Sequence, residues 1–347
     1  MSQRWKQRPP GSNWGEFGPD DERGRMNLVT EEKVMQGVAE VKTGKRFCLS
    51  LPLDYPGGSE LNPRRLPPRR FATTRAGRAN FNFLLSSEDA ANTDVICDDG
   101  VLLWLQYSTQ WDSFAHIGSQ FDADGDGVAE TVFYNGWRAG EHIVGPPANQ
   151  EVSSWGCFEG SEAKRLGIEN MAAGCMQGRG VMIDLAAHFG RCRKAVGYDD
   201  LMRVMETDQV VVEKGDMACF YTGYADVILE MKKEVDTQKL DAAYIGLDGR
   251  DEKLLQWITD SGVAALISDN YAVELFPPRP GTGKRHPALP LHEHCLFKLG
   301  VHLGEIWYLT ELAKWLRAHR RSRFLLTAPP LNLPGAVGSP ASPVATV

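Results

Sequence analysis

The chain has 347 residues and is 42% hydrophobic, enough for a substantial core, and its 38 basic against 45 acidic residues leave a net charge of −7 that argues against nucleic acid and anionic membrane as partners. No run approaches the roughly 20 apolar residues of a bilayer span, and no apolar stretch follows the charged start MSQRWKQRPPGSNWG as a secretory signal requires. Seven cysteines (48, 97, 157, 175, 192, 219, 295) are odd in number and contain no CxxC pair, which predicts a reducing, cytoplasmic setting with most thiols as small buried apolar groups.

In chain order, Pro and Gly gather at residues 9 to 19 and again at 52 to 69, marking long loops. Val101 to Leu105 (VLLWL) predicts a strand leading into QYSTQWDSFAH, and further strands are predicted at Gly180 to Leu185, Val210 to Val212, Met217 to Thr222 and Ala264 to Ser268. Asp251 to Ser261 carries Leu254, Leu255, Trp257 and Ile258 at helical spacing, with Gly262 as its stop. Pro and Gly recur at 277 to 290, a helical period runs from Glu305 to His319, and a Pro/Gly tail begins at Pro329. Short apolar runs alternating with helical periods predict a mixed α/β fold. No linker separates two cores, so residues 1–347 read as one domain with functional loops.

In QYSTQWDSFAH, Gln106, Gln110, Asp112 and His116 stand at offsets of four, two and four, a spacing that can turn four polar heads toward one point. Ser113, Phe114 and Ala115 between the last two are small or apolar. That pattern predicts partial burial of Asp112, where an ionised carboxylate needs a cation or several donors. About 180 residues downstream, His292 and Glu305 bracket the apolar segment HEHCLFKLGVHLGE and are candidates for the same site, with His294 and His302 as competitors. A second acidic group, Asp122, Asp124 and Asp126 with Gly127, has the alternating oxygens of a calcium loop, but Phe133 stands where a bidentate Glu belongs and only Glu130 is acidic nearby. It reads either as a solvated turn or as a structural Ca²⁺ site. Asp269, directly after AALIS, reads as a pin for a strand end.

QYSTQWDSFAH resembles the HxGTHxDxxxH signature of the "Putative cyclase" family of metal-dependent hydrolases, which includes bacterial kynurenine formamidase and isatin hydrolase. Thr109, Asp112 and His116 match it directly, while Gln106 and Gln110 replace two His and Ser108 replaces the Gly. Further blocks resemble the family in order: NWGEFGPDDERGRMNLVT (13 to 30), GRGVMIDL (178 to 185), KGDMACFYTGY (214 to 224), GVAALISDN (262 to 270), LHEHCLFKLGVHLGE (291 to 305) and GAVGSPASPVA (335 to 345). The resemblance implies a single α/β domain in which a swivelling β/α/β core forms a mixed sheet or partial barrel packed by helices. It also implies an N-terminal arm over 1–30, an ordered C-terminal loop over 329–347, and assembly as a homodimer or homotetramer.

Carried over by position, the resemblance implies a metal set of Gln106, Gln110, Asp112, His292 and Glu305, with His116 as general acid and base. Amide oxygens, carboxylates and one imidazole suit Mn²⁺ and still accept Zn²⁺. A divalent metal acidifies water and polarises a carbonyl, so the implied reaction is hydrolysis of an amide, cyclic amide or imide, or lactone. The implied substrate is a small ring or aryl molecule, as in arylformamidase action in tryptophan catabolism to kynurenine or in isatin opening. Trp14, Phe17, Trp111, Phe114, Tyr134 and Tyr224 either wall a pocket for a flat ring or belong to the core. The alternative function is a non-catalytic binding or calcium-stabilised interaction protein whose altered signature has lost its catalytic ion.

Overall fold

A computed structural model describes residues 4–153 and 156–347. Nine strands form one mixed, curled sheet: β1 (Arg46–Cys48), β2 (Gln110–Asp112), β3 (Gln177–Asp184), β4 (Met217–Tyr221), β5 (Ala265–Ser268), β6 (His302–Glu305), β7 (Arg323–Thr327), β8 (Gly338–Pro340) and β9 (Val344–Thr346), in the spatial order β1-β9-β7-β3-β4-β5-β6-β2-β8. The four central strands β3, β4, β5 and β6 are parallel, and the flanking pairs are antiparallel. This is a half-barrel packed by helices, and it agrees with the α/β domain expected from the sequence.

Parallel strands are covered on both faces and therefore read as continuous apolar runs. Val181 and Ile183 of β3 face one core with Phe220 and Leu266, while Met182 faces the other with Met217, Cys219 and Ile267. The first core is closed by Leu201 and Val204 of α2 (Tyr198–Thr207) and by Leu254 and Ile258 of α4 (Glu252–Ser261). Leu312, Ala313 and Leu316 of α5 (Thr310–Ala318) close the second. Helix α1 (Glu31–Val38) is capped by Thr30, and α3 (Tyr224–Glu230) begins at Gly223. Asp269 is fully buried and accepts from Thr222 N, Thr222 Oγ1 and Gly223 N at 2.7, 2.7 and 2.8 Å, so it pins the β4–α3 turn. Asp251 caps α4, and Gly262 ends it at a φ of 65°, a left-handed conformation that Gly adopts without Cβ strain.

Four expectations need correction. Val210 to Val212 is not a strand, because the ladder positions on both sides of β3 are taken by β7 and β4. The helix expected from Glu305 starts only at Thr310, since Glu305 is the last residue of β6 and is paired across the ladder. The C-terminal segment is more than a loop: β8 and β9 cover backbone that β2 and β7 would otherwise leave unpaired. Among the cysteines only Cys219 and Cys295 are buried, while Cys48, Cys97 and Cys175, in irregular segments or at a short edge strand, are exposed.

Candidate metal centre

The alternation of β2 places Gln110 and Asp112 on one face and Trp111 on the other. Trp111 packs edge-on against Trp307 with ring centroids 5.0 Å apart and donates to the Ala328 carbonyl at 2.8 Å. Across the ladder, Glu305 lies opposite Gln110, whose Nε2 donates to Glu305 Oε2 at 2.7 Å. His292 enters from the helical turn Pro290–His292, with Nε2 3.1 Å from Glu305 Oε1 and 3.9 Å from Asp112 Oδ2. Asp112, His292 and Glu305 can each offer a ligand atom within 4.8 Å of the others, and all three are buried.

Both carboxylate oxygens of Asp112 and Oε1 of Gln110 are buried without a hydrogen-bond partner. A desolvated carboxylate with two bare oxygens is costly unless a cation meets it. Two amide or carboxylate residues from one strand, a carboxylate from its neighbour and one imidazole are a donor set that fits a divalent cation. The charge balance agrees. Burial, and then the Asp112 charge, push Glu305 up to about 7. Burial acts to lower His292, but its hydrogen bonds to Glu274 and Glu305 outweigh that and raise it to about 10. The Asp112 contribution to Glu305 and the rise of His292 express negative charge that attracts protons or a metal ion.

His116 lies at the mouth of the cluster, its side chain 21% exposed and its Nε2 4.0 Å from Asp112 Oδ1. Burial lowers its pKa, Asp112 opposes this, and the positive charges of His292 and Arg65 reinforce it. A neutral imidazole in that position can accept a proton near neutral pH. Gln106 is half-buried, and its amide lies over Gly338, where a Cβ would come within 2.5 Å of Nε2. Gly338 is the residue paired with Asp112, so Gln106 reaches the rim of the cluster. Among the described residues its side chain donates to neither Asp112 nor Glu305.

His294 and His302 are drawn elsewhere. His294 Nε2 is 3.0 Å from Thr259 Oγ1. His302 stacks on Phe114 with centroids 4.0 Å apart, and its Nδ1 lies 2.9 Å from the Asp112 backbone carbonyl, bracing the end of the strand that carries the carboxylate. In the acidic loop, Asp122 accepts from Gly125 N (2.7 Å) and Gly127 N (2.9 Å), and Asp126 accepts from Val128 N (2.8 Å). Glu130 is held by Arg138, with Oε1 2.8 Å from Nη2. Asp122, Asp124 and Asp126 still lie close enough to share an ion, yet their oxygens are partly committed to shaping the turn.

Most of the aromatic residues considered as pocket walls belong to the core. Trp14 is fully buried against Trp5, Phe121 and Phe297 and donates to the Phe297 carbonyl at 2.8 Å. Trp111, Phe114, Tyr134 and Tyr224 are at most 1% exposed, because each fills space between the sheet and its covering segments. Phe17 is half-buried in the N-terminal arm. Sequence reasoning missed Glu274, a buried acid between Val273 and Leu275 whose only signal was its isolation among apolar residues. Its Oε1 lies 2.7 Å from His292 Nδ1.

The sequence model of the family described as "Putative cyclase" matches residues 49–275. The chain belongs to this cyclase family. A crystal structure described as a novel cyclase is 30% identical, with a TM-score of 0.73 over 98% of this chain and 100% of that one. The cyclase fold extends to more distant proteins. Isatin hydrolase A from Labrenzia aggregata, bound to benzyl benzoate, is 12% identical with a TM-score of 0.53, covering 90% of this chain and 97% of that one. An isatin hydrolase bound to the product analogue thioisatinate is likewise 12% identical at a TM-score of 0.53, covering 92% and 99%. No curated protein gives a significant match. Among the described residues no helix is long and apolar enough to cross a membrane.

Proposed function

We propose that this cyclase-family chain is a divalent-metal-dependent hydrolase that opens an amide, cyclic amide or imide, or lactone carbonyl of a small ring or aryl substrate. It works as a homodimer or homotetramer in the cytoplasm. The observation that carries this reading is the bare, buried Asp112 carboxylate facing His292 and Glu305. Asp112, His292, Glu305 and the Gln110 carbonyl oxygen would hold the ion, with Gln106 at the rim. When bound, a divalent cation supplies Lewis-acid polarisation of the carbonyl and acidifies water, and the oxygen-rich set favours Mn²⁺ while admitting Zn²⁺.

The chain's own residues supply the proton transfers and the orientation. His116, neutral and partly exposed beside Asp112, takes the proton of the attacking water and returns it to the leaving nitrogen or oxygen. Glu274 holds His292 through Nδ1, directing Nε2 into the cluster. His302 braces the Asp112 backbone.

The test is metal analysis of purified protein combined with a screen of N-formylkynurenine, isatin, cyclic imides and unsaturated lactones. Turnover of at least one of them, lost about 10²-fold or more in His116→Ala, is expected. Metal-replete protein that turns over none of them would sink the hydrolase reading. The second reading, a relative that binds its ligand without turnover, is favoured by the amides at two signature positions and by the bond that commits the Gln110 amide to Glu305. Absence of both metal uptake at this cluster and turnover across the screen would support it.

A further inference from the structure

The loop from Pro56 to Arg65 and Tyr271 enclose a small recess of about 10 Å³ beside Gln106, so a ligand larger than water meets Arg65 at its rim. Its walls are fixed by hydrogen bonds. The Tyr107 hydroxyl accepts from Gly57 N at 3.0 Å and donates to the Gly58 carbonyl at 2.9 Å. Asn62 Nδ2 donates to the Tyr271 hydroxyl at 2.7 Å, and Arg65 N donates to the Asn62 carbonyl at 3.0 Å, closing the turn that carries Arg65.

Arg65 is half-buried, and its Nη1 donates to the Gln106 carbonyl at 2.6 Å. Among the described residues no carboxylate lies within ion-pair distance of it, and Nε and Nη2 have no acceptor. The guanidinium is therefore anchored at one corner to the signature segment, with the rest of its donor fork unused. Its charge reaches the metal cluster: after burial and the nearer charges, it acts on both His116 and Glu305. The Tyr271 hydroxyl, having accepted from Asn62, keeps its own proton to donate.

The unused donors of Arg65 are open to a ligand from solvent, and its planar fork matches a carboxylate bidentately. The cluster beside it carries the carboxylates of Asp112, Glu305 and Glu274, which repel an anionic substrate unless a separate cation receives it. We propose that Arg65, assisted by the Tyr271 hydroxyl, is a carboxylate subsite, so that the substrates are amides or lactones bearing a carboxylate near the scissile carbonyl. This rests on the hydrolase reading for the word substrate, but the binding site itself does not.

The experiment is titration calorimetry of benzoate against its neutral counterpart benzamide, on wild type, Arg65→Gln and Arg65→Lys, each with Mn²⁺ and after chelation. Wild type is expected to bind benzoate at least about tenfold more tightly than Arg65→Gln does in both metal states, with Arg65→Lys between them and benzamide indifferent to all three. Comparing the two metal states separates carboxylate bound by the ion from carboxylate bound by Arg65. Equal benzoate affinity in wild type and Arg65→Gln, or no measurable benzoate binding by wild type, overturns the proposal. If Arg65→Gln fails to fold, as judged by circular dichroism, a benzoate affinity in Arg65→Lys equal to wild type with benzamide equally tight overturns it as well. Loss of the subsite with metal uptake and turnover intact leaves the hydrolase reading standing. An Arg65-dependent preference without turnover leaves the subsite standing and removes the hydrolase.

Discussion

Glu274 and His292 form a buried pair in which one carboxylate meets three donors: Oε1 lies 2.7 Å from His292 Nδ1 and accepts from His292 N at 3.1 Å, while Oε2 accepts from Leu291 N at 3.1 Å. The acid thereby fixes both the start of the turn and the orientation of the ring. With Nδ1 engaged, Nε2 is the nitrogen that faces Asp112 and Glu305. An outer carboxylate of this kind raises the basicity of an imidazole ligand and holds its tautomer.

Glu274→Gln keeps the shape of this contact but removes its charge, and it is expected to weaken Mn²⁺ binding by about 10- to 100-fold. Glu274→Ala strands three buried donors and is expected to lower stability as well, by about 3 kcal/mol. Calorimetric metal titration and urea unfolding would measure the two effects. Unchanged metal affinity in Glu274→Gln would mean that His292 does not serve as a ligand.

The two acidic groups separate by substitution. Asp112→Ala removes the bare carboxylate and is expected to abolish metal uptake. Asp124→Ala is expected to leave metal content unchanged, since that residue lies in the loop where acids bond backbone amides. Elemental analysis of both proteins after dialysis against Mn²⁺ decides this. Equal loss in the two would move the metal chemistry to the acidic loop.

Gln110 is where the signature departs from imidazole at a fully buried position. Gln110→His replaces a hard amide oxygen with nitrogen and breaks the donation to Glu305. The expected result is a shift in the Zn²⁺-to-Mn²⁺ affinity ratio of about tenfold or more toward zinc, read by competition with a chromophoric chelator. An unchanged ratio would place Gln110 outside the ligand set.

What could be read in the sequence followed from periodicity and local spacing. The strand cores at Gly180 to Leu185 and Ala264 to Ser268 are continuous apolar runs, and Asp251 and Gly262 punctuate α4 with recognisable caps. The convergence of Gln110 and Asp112 was legible because both lie on one short strand. The choice among His292, His294 and His302 was not, since the three lie on different elements, a helical turn, the π-helical segment Glu293–Leu299 and strand β6, that no single period relates. Glu274 and Arg65 reach the site through tertiary contacts alone, from loops whose local patterns carry no metal or anion signal. The aromatics stayed open between pocket and core for a related reason: proximity to a motif in sequence says nothing about which side of the sheet a ring faces, and Trp111 points away from Asp112 because alternate residues must.

His294 gives the fold an acid-sensitive component. It is 8% exposed, and burial, reinforced by Lys298 and Arg25, lowers its pKa to about 4. An unfolded chain titrates this group near 6.5, so above that pH both states hold it neutral and its contribution to stability is complete. As pH falls from about 6.5 to about 4, the unfolded state takes up a proton that the native state resists. The contribution is then lost, by roughly 3 kcal/mol over the whole window. His294→Asn keeps a polar partner for Thr259 without a titrating group. The stability of wild type relative to His294→Asn, measured by urea unfolding, is therefore expected to fall by about that amount between pH 7 and pH 4. His302, shifted in the same direction by burial, is present in both proteins and cancels from the difference. A difference independent of pH would show that His294 titrates alike in the folded and unfolded states.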